Sequence, residues 1–305
     1  MHKIKIALDW TPNTNHTGFF VAQELGYYAA SGLAVDLISP ETDHYATTPA
    51  KKVELGLADF AVAPFESVIS LNTKTARVDA VAVAALLQAD ISSIATLATS
   101  DIARPRELDQ RIYASYRARY EDAIVRQMII NDGGVGDLAV IYPEKLGIWQ
   151  TLLTHTADAT WIFDNWEGVE AETRGVPLTK FALADYGIPY AYSPVVFSTQ
   201  ENIQQHAAAY RAFLQATKQG FEFAATEATR PQAVAMLAQH VPARDAQAID
   251  LLKSQDFVSP FYGAGATWGI MADDRIRLFL EWLVAHKLED AAVLRQVLHT
   301  NNLLR

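Results

Sequence analysis

Apolar and polar positions change period in blocks along the first 200 residues, and the blocks predict strands and helices in turn. Ile4–Leu8 reads as a buried strand that ends in a polar loop, Asp9–Thr17. Phe19, Phe20, Ala22, Leu25 and Tyr28 then recur at helical spacing, which predicts a helix over Gly18–Ala30 stopped by Ser31-Gly32. Leu33–Ser39 is a second strand, Thr48–Leu57 a helix and Asp59–Ala63 a short strand; a further helix runs from Pro64 toward Lys74. The unbroken apolar run Val78–Leu87 predicts a strand covered on both faces, as in a parallel sheet.

The alternation restarts after residue 100. A short helix at Pro105–Leu108, a strand at Arg111–Ser115 and a helix at Glu121–Asn131 lead to a glycine-rich turn, Gly133–Gly136. Strand Leu138–Tyr142, a helix through Leu146–Leu153, strand Thr160–Phe163, a helix from Asn165 and strand Leu178–Leu183 follow. From Gln200 onward the pattern is helical: Gln200–Ala225, Pro231–His240, Ala243–Ser254 and Asp274–His286. Strands alternating with helices indicate an α/β fold. The restart divides the chain into a first part of lobe 1 (1–98), a lobe 2 (99–193) and a helical return to lobe 1 (194–305). Open α/β sheets bind ligands beyond the carboxyl ends of their strands, where one cleft would collect the loops at Trp10, Pro64, Ser115 and Asp164.

Composition narrows what such a cleft can do. Half of the 305 residues are hydrophobic and a fifth are charged, enough for a sizeable core. A net charge of −10 without a basic run argues against nucleic acid and suits a neutral or cationic small molecule. The absence of cysteine removes disulfides, thiolate nucleophiles and iron–sulfur clusters. No apolar run reaches the length of a membrane span, so membrane insertion is not expected, and a monomer is. The stretch Met1–Asp9 is too short and too charged for a signal-peptide core. The expectation is a periplasmic or cell-surface protein whose leader was removed, with a cytoplasmic protein as the alternative.

Five segments carry candidate chemistry. Trp10–Gly18 (WTPNTNHTG) sets an aromatic ring, two amides, a histidine and three threonines between a strand and a helix. It reads either as a ligand loop, with Trp10, Asn13 and His16 in contact, or as a capped turn. In Trp161–Glu167, Trp166 offers a stacking face and Asp164 or Glu167 an acceptor for a ligand amino group, while Trp161 and Phe163 read as core. Glu66 opens the helix after Pro64, where the helix dipole favours a carboxylate in any case. Ser115, Tyr116 and Arg117 precede another helix; Arg117 and Arg119 would bind phosphate or carboxylate there, or be merely solvated. Tyr190 and Tyr192 lie where the chain recrosses between lobes, lining a cleft or packing under loops. No Walker, Gly-x-Ser-x-Gly or His-Glu-x-x-His motif is present, and His16, His44 and His155 are scattered. Neither a catalytic residue nor a cofactor nor a metal is expected.

Taken together, these blocks resemble the bacterial solute-binding proteins of ABC transporters that salvage formylaminopyrimidine, a thiamine breakdown product. The resemblance rests on Leu8–Gly18, Gly26-Tyr27-Tyr28, Gly56–Phe60, Trp161–Gly168, Asp185–Pro189 and Tyr192–Val195, in family order. It implies a two-lobed periplasmic-binding-protein fold (type II), an ABC permease as partner, and Trp10, Glu66 and Trp166 facing a thiamine-precursor pyrimidine. The same superfamily includes the fungal-type pyrimidine synthase of thiamine biosynthesis, which needs a cofactor lysine, a donor histidine and a cysteine-rich motif. Ala61–Ser67 holds neither lysine nor histidine, and Tyr190–Ser193 no cysteine, so a synthase-like enzyme or sensor is the alternative reading only. The Tyr116–Tyr120 stretch departs from the family's glycine-rich pattern. It leaves room for a phosphorylated pyrimidine or another flat heteroaromatic such as riboflavin or pyridoxine.

Overall fold

A computed structural model describes residues 1–143 and 150–305. Ten strands form two five-stranded sheets. In chain order they are β1 (His2–Ala7), β2 (Leu33–Ile38), β3 (Phe60–Ala63), β4 (Ala80–Ala85), β5 (Ser92–Leu97), β6 (Ile112–Ala114), β7 (Ala139–Ile141), β8 (Ala159–Phe163), β9 (Leu178–Ala182) and β10 (Val195–Thr199). The first sheet has the order β2-β1-β3-β10-β4 and the second β7-β6-β8-β5-β9. Each sheet takes one strand that breaks its parallel pattern: β10 runs antiparallel to β3 and β4, and β5 runs antiparallel to β8 and β9.

These two strands correct the sequence-based division. Val78–Leu87 yields a strand only over Ala80–Ala85, and the chain crosses to the second sheet through residues 86–91, ahead of the expected boundary after 98. β5 therefore belongs to the second lobe. Its serines and threonine obscure an apolar run, yet Ser92, Ser93 and Thr96 are buried because neighbouring strands and loops cover them. The expected Gly18–Ala30 helix is two, Thr17–Glu24 and Tyr27–Ala30, separated at Gly26 with φ of 72°. That left-handed conformation suits glycine and ends the first helix. Likewise Ala243–Ser254 divides into Ala243–Ala248 and Leu251–Val258, the second capped by Asp250. The helix expected through Leu146–Leu153 is described only over Gln150–Leu153; its start lies outside the described residues.

The helical C-terminal part packs on the first lobe, with Gln200–Ala225 lying against Thr17–Glu24. The two backbones approach so closely that a Cβ on Gly220 would sit 1.9 Å from the Gly18 carbonyl oxygen. Phe213 stacks on Phe60 with ring centroids 4.8 Å apart, and Phe221 meets Phe19 edge-on at 5.4 Å. The last long helix, Asp273–Ala285, does more than cover lobe 1. Phe279 reaches Tyr190 at 5.3 Å and Tyr120 at 6.3 Å, so this helix spans the junction of the lobes. Arg275 on the same helix donates to the carbonyls of Gln88 and Ala191, one from each crossover between lobes.

Gly220→Ala should lower stability despite alanine's better helix propensity, because the added methyl has no room. The expected loss is about 2–3 kcal/mol in urea denaturation. An unchanged or raised midpoint would show that the helices do not meet this closely.

Candidate binding site

A cavity of about 560 Å³ lies between the two sheets, bounded by strand-to-helix loops from both lobes. Of the residues singled out from sequence, it is lined by Trp10, Asn13, Glu66, Tyr116, Arg117, Arg119, Trp166, Glu167 and Tyr190. His16, Ser115, Asp164 and Tyr192 do not line it. Their side chains are engaged in holding the loops instead.

The Trp10–Gly18 loop separates into two functions. Trp10, Asn13 and Asn15 face the cavity. Thr14, His16 and Thr17 are fully buried on the other side. His16 Nδ1 accepts from the Asn13 backbone N–H (3.3 Å), which leaves the Nε2 proton for Asp9 Oδ1 at 2.7 Å. Thr17 donates to Gln255 Oε1 (2.6 Å), and the Thr14 hydroxyl meets Ser254 Oγ at 2.7 Å. The loop is thus a capped turn riveted to helix Leu251–Val258, with Asn13 as the cap of its first turn.

Opposite it, the chain leaving β8 makes one π-helical turn, Asp164–Gly168, before helix Val169–Thr173. Trp166 and Glu167 point into the cavity from this turn, while Asp164 accepts from Ser93 Oγ (2.9 Å) and pairs with Lys180 (2.9 Å). Asn165 is fully buried and donates to both Thr14 Oγ1 and Asn15 Oδ1, each at 2.9 Å, so it joins the two lobes. Trp10 meets Tyr116 of lobe 2 edge-on at 6.5 Å, and Tyr45 braces the same indole at 5.5 Å.

Trp161 and Phe163, read from sequence as core, also line the cavity. Their period-two spacing at the end of β8 puts them on one face, which is the signal that reading passed over. Glu121 is a further lining residue outside the selected set, and it has almost no exposure. It accepts from the Tyr113 hydroxyl at 2.7 Å and from the Tyr116 and Ala118 backbone N–H groups, each at 3.1 Å. Ser115 accepts from the Arg117 N–H at 3.1 Å, and the Tyr192 hydroxyl accepts from the Ala272 N–H at 2.9 Å. The Tyr192 ring lies 4.2 Å beneath the Arg275 guanidinium, at the hinge and away from the cavity. Arg119 pairs with Glu289, and Arg117 lies 4.4 Å over the Tyr142 ring.

The electrostatics are set by burial. Loss of water pushes the Glu66 carboxyl up to about 7, against the Tyr190 hydroxyl that donates to it at 2.6 Å. Burial likewise raises Glu167 to about 7, although the Phe163 N–H donates to it at 2.9 Å. Glu121 is raised for the same reason. Among the described residues, no group of three or more potential ligands could hold a metal ion.

A family model described as NMT1/THI5 like matches residues 13–230, well over half of the chain. The chain belongs to that family. Within it, the chain is 25% identical over 224 residues to the formylaminopyrimidine-binding protein of Halalkalibacterium halodurans. That match covers 73% of this chain and 66% of the relative, so it spans slightly under two thirds of the relative's length. The NMT1/THI5-like chain also shares its fold with the periplasmic nitrate-binding protein NrtA from Synechocystis PCC 6803. There the TM-score is 0.74 at 13% identity, covering 100% of this chain and 88% of that one. The alkanesulfonate-binding protein SsuA from Xanthomonas axonopodis pv. citri gives 0.72 at 12% identity, covering 98% and 99%. The fold is that of the periplasmic binding proteins.

Glu66 holds its proton more tightly folded than at its ordinary value of 4.5. Its burial therefore costs nothing below about pH 4.5, costs progressively more as pH rises toward 7, and costs most above it. Glu66→Gln, which keeps an acceptor for Tyr190, should stabilise the protein by about 2 kcal/mol at about pH 8 and by little at about pH 5. Denaturation at the two pH values checks this; a pH-independent difference would sink the buried-acid account.

Proposed function

We propose that this NMT1/THI5-like protein is the solute-binding component of an ABC importer and closes on a thiamine-precursor pyrimidine. One observation carries the reading: a cavity between lobes combines the indoles of Trp10 and Trp166 with two buried carboxyls, Glu66 and Glu167, raised to about 7. A flat ring stacks on indole faces. A 4-aminopyrimidine presents an amino donor beside a ring-nitrogen acceptor, and a carboxyl with one proton answers both at once. The relative named for formylaminopyrimidine supports the ligand class. Rings alone would accept many flat molecules; the adjacent acids favour an amino-heterocycle over riboflavin or pyridoxine.

The same residues favour capture over catalysis. Ala63, Pro64, Glu66 and Ser67 line one wall, and their stretch Ala61–Ser67 offers no lysine or histidine; the lysines elsewhere on the walls, Lys51 and Lys74, are both paired with Glu54. A ligand that touches both lobes shifts the population toward the closed form, which a permease would then read. Among the described residues no helix is long and apolar enough to cross a membrane. A periplasmic or cell-surface location follows from that role.

Titration calorimetry and thermal shift with formylaminopyrimidine, hydroxymethylpyrimidine and thiamine test the reading. At least one should bind and raise the melting temperature, since a ligand of the folded state must stabilise it. Trp166→Ala should weaken that binding by about tenfold or more. Silence from all three ligands would reject the pyrimidine class.

A further inference from the structure

The charges around the cavity are lopsided. Glu66, Glu121 and Glu167 all line it, and the hydrogen bonds they accept come from neutral donors: the Tyr190 and Tyr113 hydroxyls and the backbone N–H groups of Tyr116, Ala118 and Phe163. Asp9 adds a fourth acid, joined to His16. The cations on the same walls are turned to other partners. Lys51 and Lys74 share Glu54 at 2.9 and 2.5 Å, Arg119 pairs with Glu289, and Arg117 lies over Tyr142. Buried carboxyls without a cation are costly when ionised, and here only Arg119, itself paired with Glu289, eases that cost at Glu66.

Aromatic faces converge on the same space. Trp10 and Tyr116 meet from opposite lobes, and Trp166 faces in from the π-helical turn. Aromatic faces carry negative potential and attract cations, most strongly where water is excluded. Acids and rings thus ask for the same thing.

We propose that the ligand of this cavity is a monocationic heteroaromatic, protonated or quaternised at a ring nitrogen, held between the faces of Trp10, Trp166 and Tyr116 and the carboxylates of Glu66 and Glu167. The inference deepens the reading of the cavity as a solute site, and it disfavours the phosphorylated ligand that Arg117 and Arg119 suggested from sequence. Glu66 faces Tyr190, Tyr120, Glu121 and Arg119; Glu167 faces the Phe163 backbone, Glu170 and Asp245. Around Glu167 there are two acids and no cation; around Glu66 the one cation, Arg119, is already paired with Glu289. A bound cation favours the ionised carboxylates, so its binding releases protons to the solvent near neutral pH.

Two matched pairs of probes test this by calorimetry at about pH 7 in buffers of different ionisation enthalpy. Nicotinamide and its ring-N-methylated cation differ by one methyl group and one permanent charge. Hydroxymethylpyrimidine and thiamine carry the same pyrimidine without and with a permanent cation. In each pair the cation should bind about tenfold tighter or better and release protons. A Glu66→Gln, Glu167→Gln double variant should lose that preference, each cation then binding no more than about threefold tighter than its neutral partner. Equal affinities within both pairs, or tighter binding of hydroxymethylpyrimidine phosphate than of thiamine, would overturn the inference. If both pyrimidines fail while the methylated nicotinamide still outbinds nicotinamide, the cation inference stands and the pyrimidine reading falls. Failure of all the probes rejects both.

Discussion

Asn165 is buried where the lobes meet and ties the two walls of the cavity together. Its amide has no access to water, so its N–H groups must find partners inside the protein, and they find Thr14 and Asn15 on the opposite lobe. Its backbone carbonyl accepts from Ser254, which also meets Thr14. One residue of the second lobe is therefore fixed at once to the cavity-facing loop of the first and to the helix behind that loop. Trp166 and Glu167 are the next residues in the chain, and their place in the cavity follows from that anchorage.

A second restraint acts at the far side. Arg275 donates to the carbonyls of Gln88 and Ala191, which belong to the outgoing and returning crossovers, and stacks on Tyr192. Both connections between lobes are held by one guanidinium, whose planar fork suits several carbonyls at once. Asn165 ties the lobes at the cleft and Arg275 at the crossovers. Between them the loop of Trp10 is bonded to helix Leu251–Val258, and Phe279 packs across the junction. Preorganisation of this kind keeps the cost of ordering side chains out of the binding step.

The chemistry inside follows from what those walls exclude. Glu66 and Glu167 would be ordinary acids on a surface; enclosure brings both to about 7. The neighbouring rings make the same enclosure receptive to a flat, electron-poor partner. A site built from acids and aromatic faces differs in kind from one built to hold an anion, even when the two share a fold.

Much of this was legible in the chain. The period of its apolar residues gave most strands and helices, and the residues at strand ends, Trp10, Glu66, Tyr116 and Trp166, were visible as candidates because loops after strands converge in an α/β fold. The motif blocks were enough for the family. What the chain alone left open was which side of each loop faces the cavity. His16, Thr14 and Thr17 look as suitable as Asn13, yet the threonines bond to helix Leu251–Val258, more than 200 residues away, and His16 is held by Asp9. β5 was passed over because its burial comes from neighbouring strands rather than its own composition. The balance of charge was likewise a tertiary matter: Arg119 meets Glu289 only after the last helix has crossed the hinge. Local periodicity reports which residues want burial. Only the folded chain decides which polar groups satisfy one another and which are left for a ligand.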